Sequence, residues 1–379
     1  MKLDPVSLTR DLVAIKSVSR WSNALVSDLV EEWFREHGFE TERLDYVDEN
    51  GETKVSIVGR KGSGTGGLAF FSHTDTVPGQ EEDWDPYDPV LGDGKISGRG
   101  SCDMKGPLAA TMAAAAAVDE EELEQPVLVM ATADEEVGGG GAKQVVRESR
   151  FFSEARPRYA VVAEPTELWP VYAHKGGALV MATARGTAAH TSTDLGTSAN
   201  FLIAPFLAEM AELAKEVKQD PRYQNQDFNP PTNGFNMVFD DGGTRPNVSA
   251  ARSTCQIGFR PMPGDESRDL MEIVAGRARA HGLEVETRYK GPFYVSPGAD
   301  LVQLAARAGG GRKPKTVPYG TDSIWIKDQV DELVVLGPGN IAQAHTVGEW
   351  ISIGQLEEAV EIYRRMIREI CGTGGAAVS

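Results

Sequence analysis

Cysteine is scarce in this chain, basic charge is outnumbered, and long apolar runs do not occur. Three cysteines, Cys102, Cys255 and Cys371, are too few and too scattered over 379 residues for a disulfide framework. A reducing, cytoplasmic setting is therefore expected. Lysine and arginine number 38 against 56 acidic residues, giving a formal net charge of -18. Nucleic acid and anionic membrane surfaces demand a basic face, so neither is expected as a partner. No apolar stretch approaches the ~20 residues that span a bilayer. The N-terminus lacks the basic flank, apolar core and small-residue cleavage site of an export signal, which again points to the cytoplasm.

What is present is length enough for more than one core, and an alternation of patterns. Asp4-Pro5 is a good cap and first-turn pair for a helix through about Ile15. A second helix, with Leu25, Leu29, Val30, Trp33 and Phe34 on its apolar face, stops near Gly38. Gly62 to Gly67 has the glycine spacing of a dinucleotide-binding loop, but it precedes a strand instead of following one, and it reads as a plain loop. Apolar runs ending at His73, at 127–130, 159–163 and 333–336 alternate with helices after Gly106, near 143–148 and at 355–370. That alternation indicates an α/β layer with a largely parallel sheet flanked by helices. From about Gly177 to Lys290 the texture changes to that of a smaller α+β unit, read as an insertion at 177–290 between the halves 1–176 and 291–379.

Chemistry-bearing residues gather past the carboxyl ends of the predicted sheet strands, the edge at which open α/β sheets bind ligands. His73 ends one strand, Glu135 and Glu136 follow a second, Glu164 a third, and His345 a fourth after a Gly-Pro-Gly turn. Asp103 lies just before the alanine-rich helix and can reach the same edge. Two imidazoles and three carboxylates without a thiolate suit a pair of zinc, cobalt or manganese ions. Asp75 shares a face with His73 and can hold its imidazole from behind. His37 and His281 precede glycines at helix ends and are read as structural; His174, in AHKGG, is read as structural or as a support behind the site residues. Cys102 has no local histidine to make it a nucleophile.

Five ordered segments carry a resemblance: His73-Thr74-Asp75, GRGSCDMKG at 98–106, ATADEEVGG at 131–139, AEPT at 163–166 and LGPGNIAQAH at 336–345. Together they resemble the two-zinc amidohydrolases and carboxypeptidases, over about residues 5 to 370. The resemblance implies that His73, Asp103 and Glu164 hold one metal, that Asp103 bridges, and that Glu136 and His345 hold the other. It implies Glu135 as general base, Asp75 as its catalytic companion behind His73, and a cis peptide between Asp103 and Met104. His190, in GTAAHTS of the insertion, resembles a histidine that serves the active site of a second subunit, so a homodimer with the insertion as dimerisation domain is implied. Asn247 and Arg260 match substrate-binding positions. EPT followed by PVYAHKG, and LGPGNIAQAH followed by Glu349 and Trp350, look most like the branch acting on N-acetylornithine. Gly348 and TVPYGTDS at 316–323 depart from it. The expected activity is hydrolysis of an N-acyl amino acid, the alternatives being desuccinylation of succinyl-diaminopimelate, carboxypeptidase or dipeptidase action, and metal-dependent binding without turnover.

Overall fold

The computed structural model describes residues 4–373, and within them the chain forms two compact units. The first runs to Tyr172 and resumes over Val295–Lys315 and from Thr321; the second comprises Ala173–Tyr294 and Thr316–Gly320. The second unit thus starts a few residues before 177 and ends a few after 290, and within it Phe293 pairs with His174 and Tyr294 with Ala173.

In the first unit, strands follow the order Glu40–Val47, Thr53–Lys61, Val127–Thr132, Leu68–His73, Tyr159–Val162 and Glu332–Val335. The last four are mutually parallel, and the first two join antiparallel at the edge. Leu68–His73, Val127–Thr132 and Tyr159–Val162 are buried at every position. Parallel strands covered on both faces need such continuous apolar runs. Helices Pro5–Val13, Gly106–Ala116 and Ile353–Cys371 pack on one another against the sheet. The Asp4 carboxylate accepts from Val6 N at 3.0 Å and caps the first of them. In Gly106–Ala116 all residues but the last are buried, and its run of alanines lets neighbours approach closely.

The Ala24–Glu36 helix buries Val26, Val30 and Phe34, whereas Leu25 is 72% exposed and does not belong to the apolar face expected for it. Residues four apart stack along one side of a helix, and the line through Val30 and Phe34 runs back to Val26. Three strands of three residues, Val90–Gly92, Lys95–Ser97 and Trp350–Ser352, form a separate small antiparallel sheet that the sequence did not announce.

The second unit is an antiparallel sheet, in the order Asn236–Asp240, Arg252–Phe259, Gly177–Arg185 and Glu284–Lys290, with helices Ala199–Gln219 and Ser267–Ala280. Val180, Ile203, Phe206, Ile257, Leu270 and Val274 centre its own core. Among the described residues no helix is long and apolar enough to cross a membrane.

Candidate metal centre

Three neighbouring parallel strands deliver side chains to one edge of the sheet. His73 is the last residue of its strand and stands opposite Thr132, three residues before Glu135. Phe71 of that strand stands opposite Val162, two before Glu164. The fourth parallel strand, Glu332–Val335, leads through Gly337-Pro338-Gly339 towards His345, which has a left-handed φ of 62°. Asp103 lies at a kink in the Ser101–Lys105 segment, with non-helical φ -125° and ψ 92°, and its peptide bond to Met104 is cis, as the resemblance implied.

The side chains converge in two groups that share Asp103. Ligand-type atoms of His73, Asp103 and Glu164 lie within 4.8 Å of one another, and so do those of Asp103, Glu136 and His345. His73 Nε2 is 3.1 Å from Asp103 Oδ1, while His345 Nε2 is 3.4 Å from Asp103 Oδ2 and 3.0 Å from Glu136 Oε1. His73, Asp103 and Glu164 are buried; His345 is 52% exposed and opens the group to solvent.

The support behind His73 differs in one detail from the expected arrangement. Its Nδ1 lies 2.9 Å from the backbone carbonyl of Asp75, and the Asp75 carboxylate stands further off at 3.5 Å. That carboxylate instead accepts from Ser19 Oγ at 2.7 Å and from the backbone N–H groups of Glu135 at 3.2 Å and Glu136 at 3.4 Å. Asp75 therefore ties the histidine strand to the two glutamates. Thr74 faces away, accepting from Asn23 Nδ2 at 2.9 Å and donating to Thr132 O at 3.1 Å.

Burial and like charge strain this cluster electrostatically. Burial raises the Glu164 carboxyl well above its ordinary pKa, and Asp103 and Glu135 add to the effect. Burial, then Asp322, raises Glu135 in the same way. Burial opposes ionisation of Asp103 too, but hydrogen bonds from His345 and His73 hold its carboxyl below the carboxylate range. Hydrogen bonds to Asp103 and Glu136 push the His345 imidazole up to about 10. Crowded carboxylates and imidazoles of this kind offer oxygen and nitrogen donors to hard or borderline cations, whose charge relieves the repulsion. The residues present fit a pair of divalent ions.

Several contributors were not evident from sequence. Asp134, in the left-handed region at φ 58°, turns the chain into Glu135; Tyr46 OH donates to its carboxylate at 2.6 Å and Lys54 Nζ lies 3.0 Å away. Glu349 is fully buried against the Asp103 turn. In sequence neither an aspartate ahead of the paired glutamates nor a lone lysine in a strand stands apart from surface residues.

The remaining candidates belong to the second unit. His190 is exposed and bridges to Val248, and Ser192 Oγ lies 2.7 Å from its Nδ1. Thr191 N donates to Asn247 O at 3.1 Å, so the structure brings the His190 and Asn247 loops together. Arg260 is exposed just beyond the Arg252–Phe259 strand. The structural readings of the other histidines agree with their contacts: His37 with Trp33 O, His174 with Lys175 O and His281 with Glu209.

An α/β sheet whose carboxyl edge gathers two imidazoles and three carboxylates, one of them an aspartate common to both groups, is the site expected of a metal-dependent hydrolase. A family model described as Peptidase family M20/M25/M40 matches residues 69–369, and the chain belongs to that family. An acetylornithine deacetylase of Myxococcus xanthus is 32% identical over 375 residues, covering 96% of each chain. That of Proteus mirabilis is 32% identical over 382 residues, covering 97% of this chain and 96% of its own. A solved M20 family metallo-carboxypeptidase from Sulfolobus solfataricus superposes with a TM-score of 0.73 at 16% identity, covering 96% of this chain and 98% of its own. A tripeptidase from Staphylococcus aureus gives a TM-score of 0.73 at 18%, covering 97% and 98%. At such identities the solved structures establish the fold, and they share it across their lengths.

Proposed function

We propose that the protein hydrolyses the amide bond of N-acyl amino acids, with N-acetylornithine as the leading substrate and a place in arginine biosynthesis in the cytoplasm. The observation that carries the reading is Asp103, one carboxylate set between two imidazoles. Support for the acyl substrate comes from relatives named acetylornithine deacetylase over nearly the full length.

In this reading His73, Asp103 and Glu164 would hold one divalent ion and Asp103, Glu136 and His345 the other, with zinc favoured over cobalt or manganese by the mixed nitrogen and oxygen donors. Bound there, such a pair would supply a water of pKa lowered towards ~7 and a polarising charge for the amide carbonyl. Glu135 takes the proton from the attacking water and delivers it to the leaving amine nitrogen, a task for one carboxylate that is not itself a ligand. Asp75 fixes where Glu135 and Glu136 stand through their backbone N–H groups. Arg260 and Asn247 bind the substrate, the guanidinium engaging both carboxylate oxygens. His190 of the partner subunit donates to the oxyanion that forms as water adds.

That last role requires a homodimer. The strand Asn236–Asp240, at the edge of the second unit's sheet, is exposed throughout, with Phe239 at 43%. On the Ala199–Gln219 helix of the same unit Phe201 is 82% exposed. An open apolar edge of this kind favours pairing with a second copy about a two-fold axis.

Amine release from N-acetylornithine, N-succinyl-diaminopimelate and a glutamyl dipeptide tests the reading. Cleavage of the acetyl substrate alone is expected. Cleavage of the dipeptide alone favours the peptidase reading, to which the 316–323 departure would then belong. No cleavage of any of them would favour a binding protein.

A further inference from the structure

We infer that Glu349 is a positioning residue for Asp103, acting through the backbone of the 100–103 turn and backed by Arg99. The inference rests on the proposed role of Asp103 as the shared ligand. Trp350–Ser352 pairs antiparallel with Lys95–Ser97, with Trp350 opposite Ser97, and Gly98 N donates to Glu349 O at 2.8 Å. This register sets the Glu349 side chain under the turn that follows. Gly348, at φ 73°, lets the chain reverse in the three residues between His345 and Glu349.

There, Glu349 Oε1 accepts three backbone N–H groups, from Gly100 at 3.1 Å, Cys102 at 2.9 Å and Asp103 at 3.0 Å. Its Oε2 accepts from Arg99 Nη1 at 2.6 Å. Converging N–H groups make an anion-binding hollow, and here a side chain of the same protein fills it. Holding the Asp103 N–H fixes the direction in which its side chain leaves the backbone. Its two oxygens then face His73 and His345 before any ion arrives. Ligand distances are tolerated only within about 0.2 Å, so this alignment bears directly on affinity.

Stability alone does not account for the arrangement. Arg99 and Glu349 are 1% and 0% exposed, and Arg99 Nε and Nη2 are buried with no hydrogen-bond partner among the described residues. Buried ion pairs of this sort are commonly no better than apolar side chains of similar volume, and unmet donors make them worse. Their return here is a preset ligand. Cys102 Sγ also donates to Asn340 O at 3.4 Å, so the same turn touches the segment that leads to His345.

The test is cobalt(II) titration of metal-stripped protein, read by its visible absorption and by competition with a chromophoric chelator. Glu349→Gln keeps the shape but turns an amide towards Arg99; a roughly 10- to 100-fold weaker affinity and an altered spectrum are expected in the folded variant, with melting lowered because the buried Arg99 charge loses its carboxylate. Glu349→Ala should weaken binding at least as much. Wild-type affinity and spectrum in folded Glu349→Gln would overturn the inference. Asp103→Asn separates the two claims: if it also binds cobalt normally, the ligand reading itself fails. A measurement on the unaltered chain covers the case in which the variants do not fold. Amide hydrogens of Gly100, Cys102 and Asp103 should exchange as slowly in metal-free protein as in loaded protein; protection acquired only on loading would overturn the inference.

Discussion

Glu135 and Glu136 are chain neighbours in different surroundings. Glu136 Oε1 lies 3.0 Å from His345 Nε2, in one of the two ligand groups, while Glu135 belongs to neither group. Sequence order alone cannot separate adjacent carboxylates, and here the family resemblance did so before any geometry was available. Glu135→Gln is expected to leave metal content intact and to lower turnover by about 10²- to 10⁴-fold, the usual worth of a positioned proton carrier. Metal analysis beside steady-state kinetics checks it, and unchanged turnover would remove Glu135 from that role. His73, Asp103, Glu164 and His345 were legible because each stands at a fixed offset from an apolar run or turn. Glu349 and Asp134 were not, since a buried carboxylate looks in sequence like any surface acid, whether it receives backbone N–H groups, as Glu349 does, or the Tyr46 hydroxyl, as Asp134 does.

Elements show the same split. The four parallel strands announce themselves as unbroken apolar runs because both faces are covered. Glu40–Val47 does not, since its positions are half-buried or exposed and several carry charge. Thr53–Lys61 buries Lys54 and Ser56 alongside Val55 and Ile57, which disguises an inner strand as a polar one. The buried lysine makes sense only once its partners are known: Nζ donates to Trp21 O at 2.9 Å and to the Asp134 carboxylate. The small sheet of three-residue strands falls below the length at which alternation can be recognised. The helix Gly140–Glu148 is pressed against the loop that carries the glutamates: a Cβ on Gly141 would lie 2.4 Å from Ala133 N and 2.6 Å from Ala133 O. Backbone cannot yield as a side chain does. Gly141→Ala is therefore expected to displace Ala133 to Glu136 and to cut turnover at least tenfold, with a destabilisation of about 1–3 kcal/mol from overpacking. Kinetics and urea melts together decide this; wild-type values in both would show that the loop accommodates the methyl group.

At the scale of the whole molecule, the proposal divides the work between units and between copies. Glu135 lies in the first unit and His190 in the second. If His190 serves the site of the other copy, mixing Glu135→Gln with His190→Ala should restore turnover, because a hybrid dimer holds one site with both residues intact. Each parent alone is expected to be nearly inactive. No recovery after subunit exchange, verified by differently tagged copies, would place His190 elsewhere. The net charge of -18 fits a site that gathers carboxylates around cations, although much of it lies on solvated surface. The claim on which all of this depends is that two ions share Asp103. Stepwise addition of zinc to metal-stripped protein, with amine release followed at each step, tests it most directly. Activity that rises to a plateau at two equivalents per chain, and a loss of one tight equivalent in His345→Ala, is the predicted result. Full activity without added metal, or a plateau at one equivalent, would contradict it.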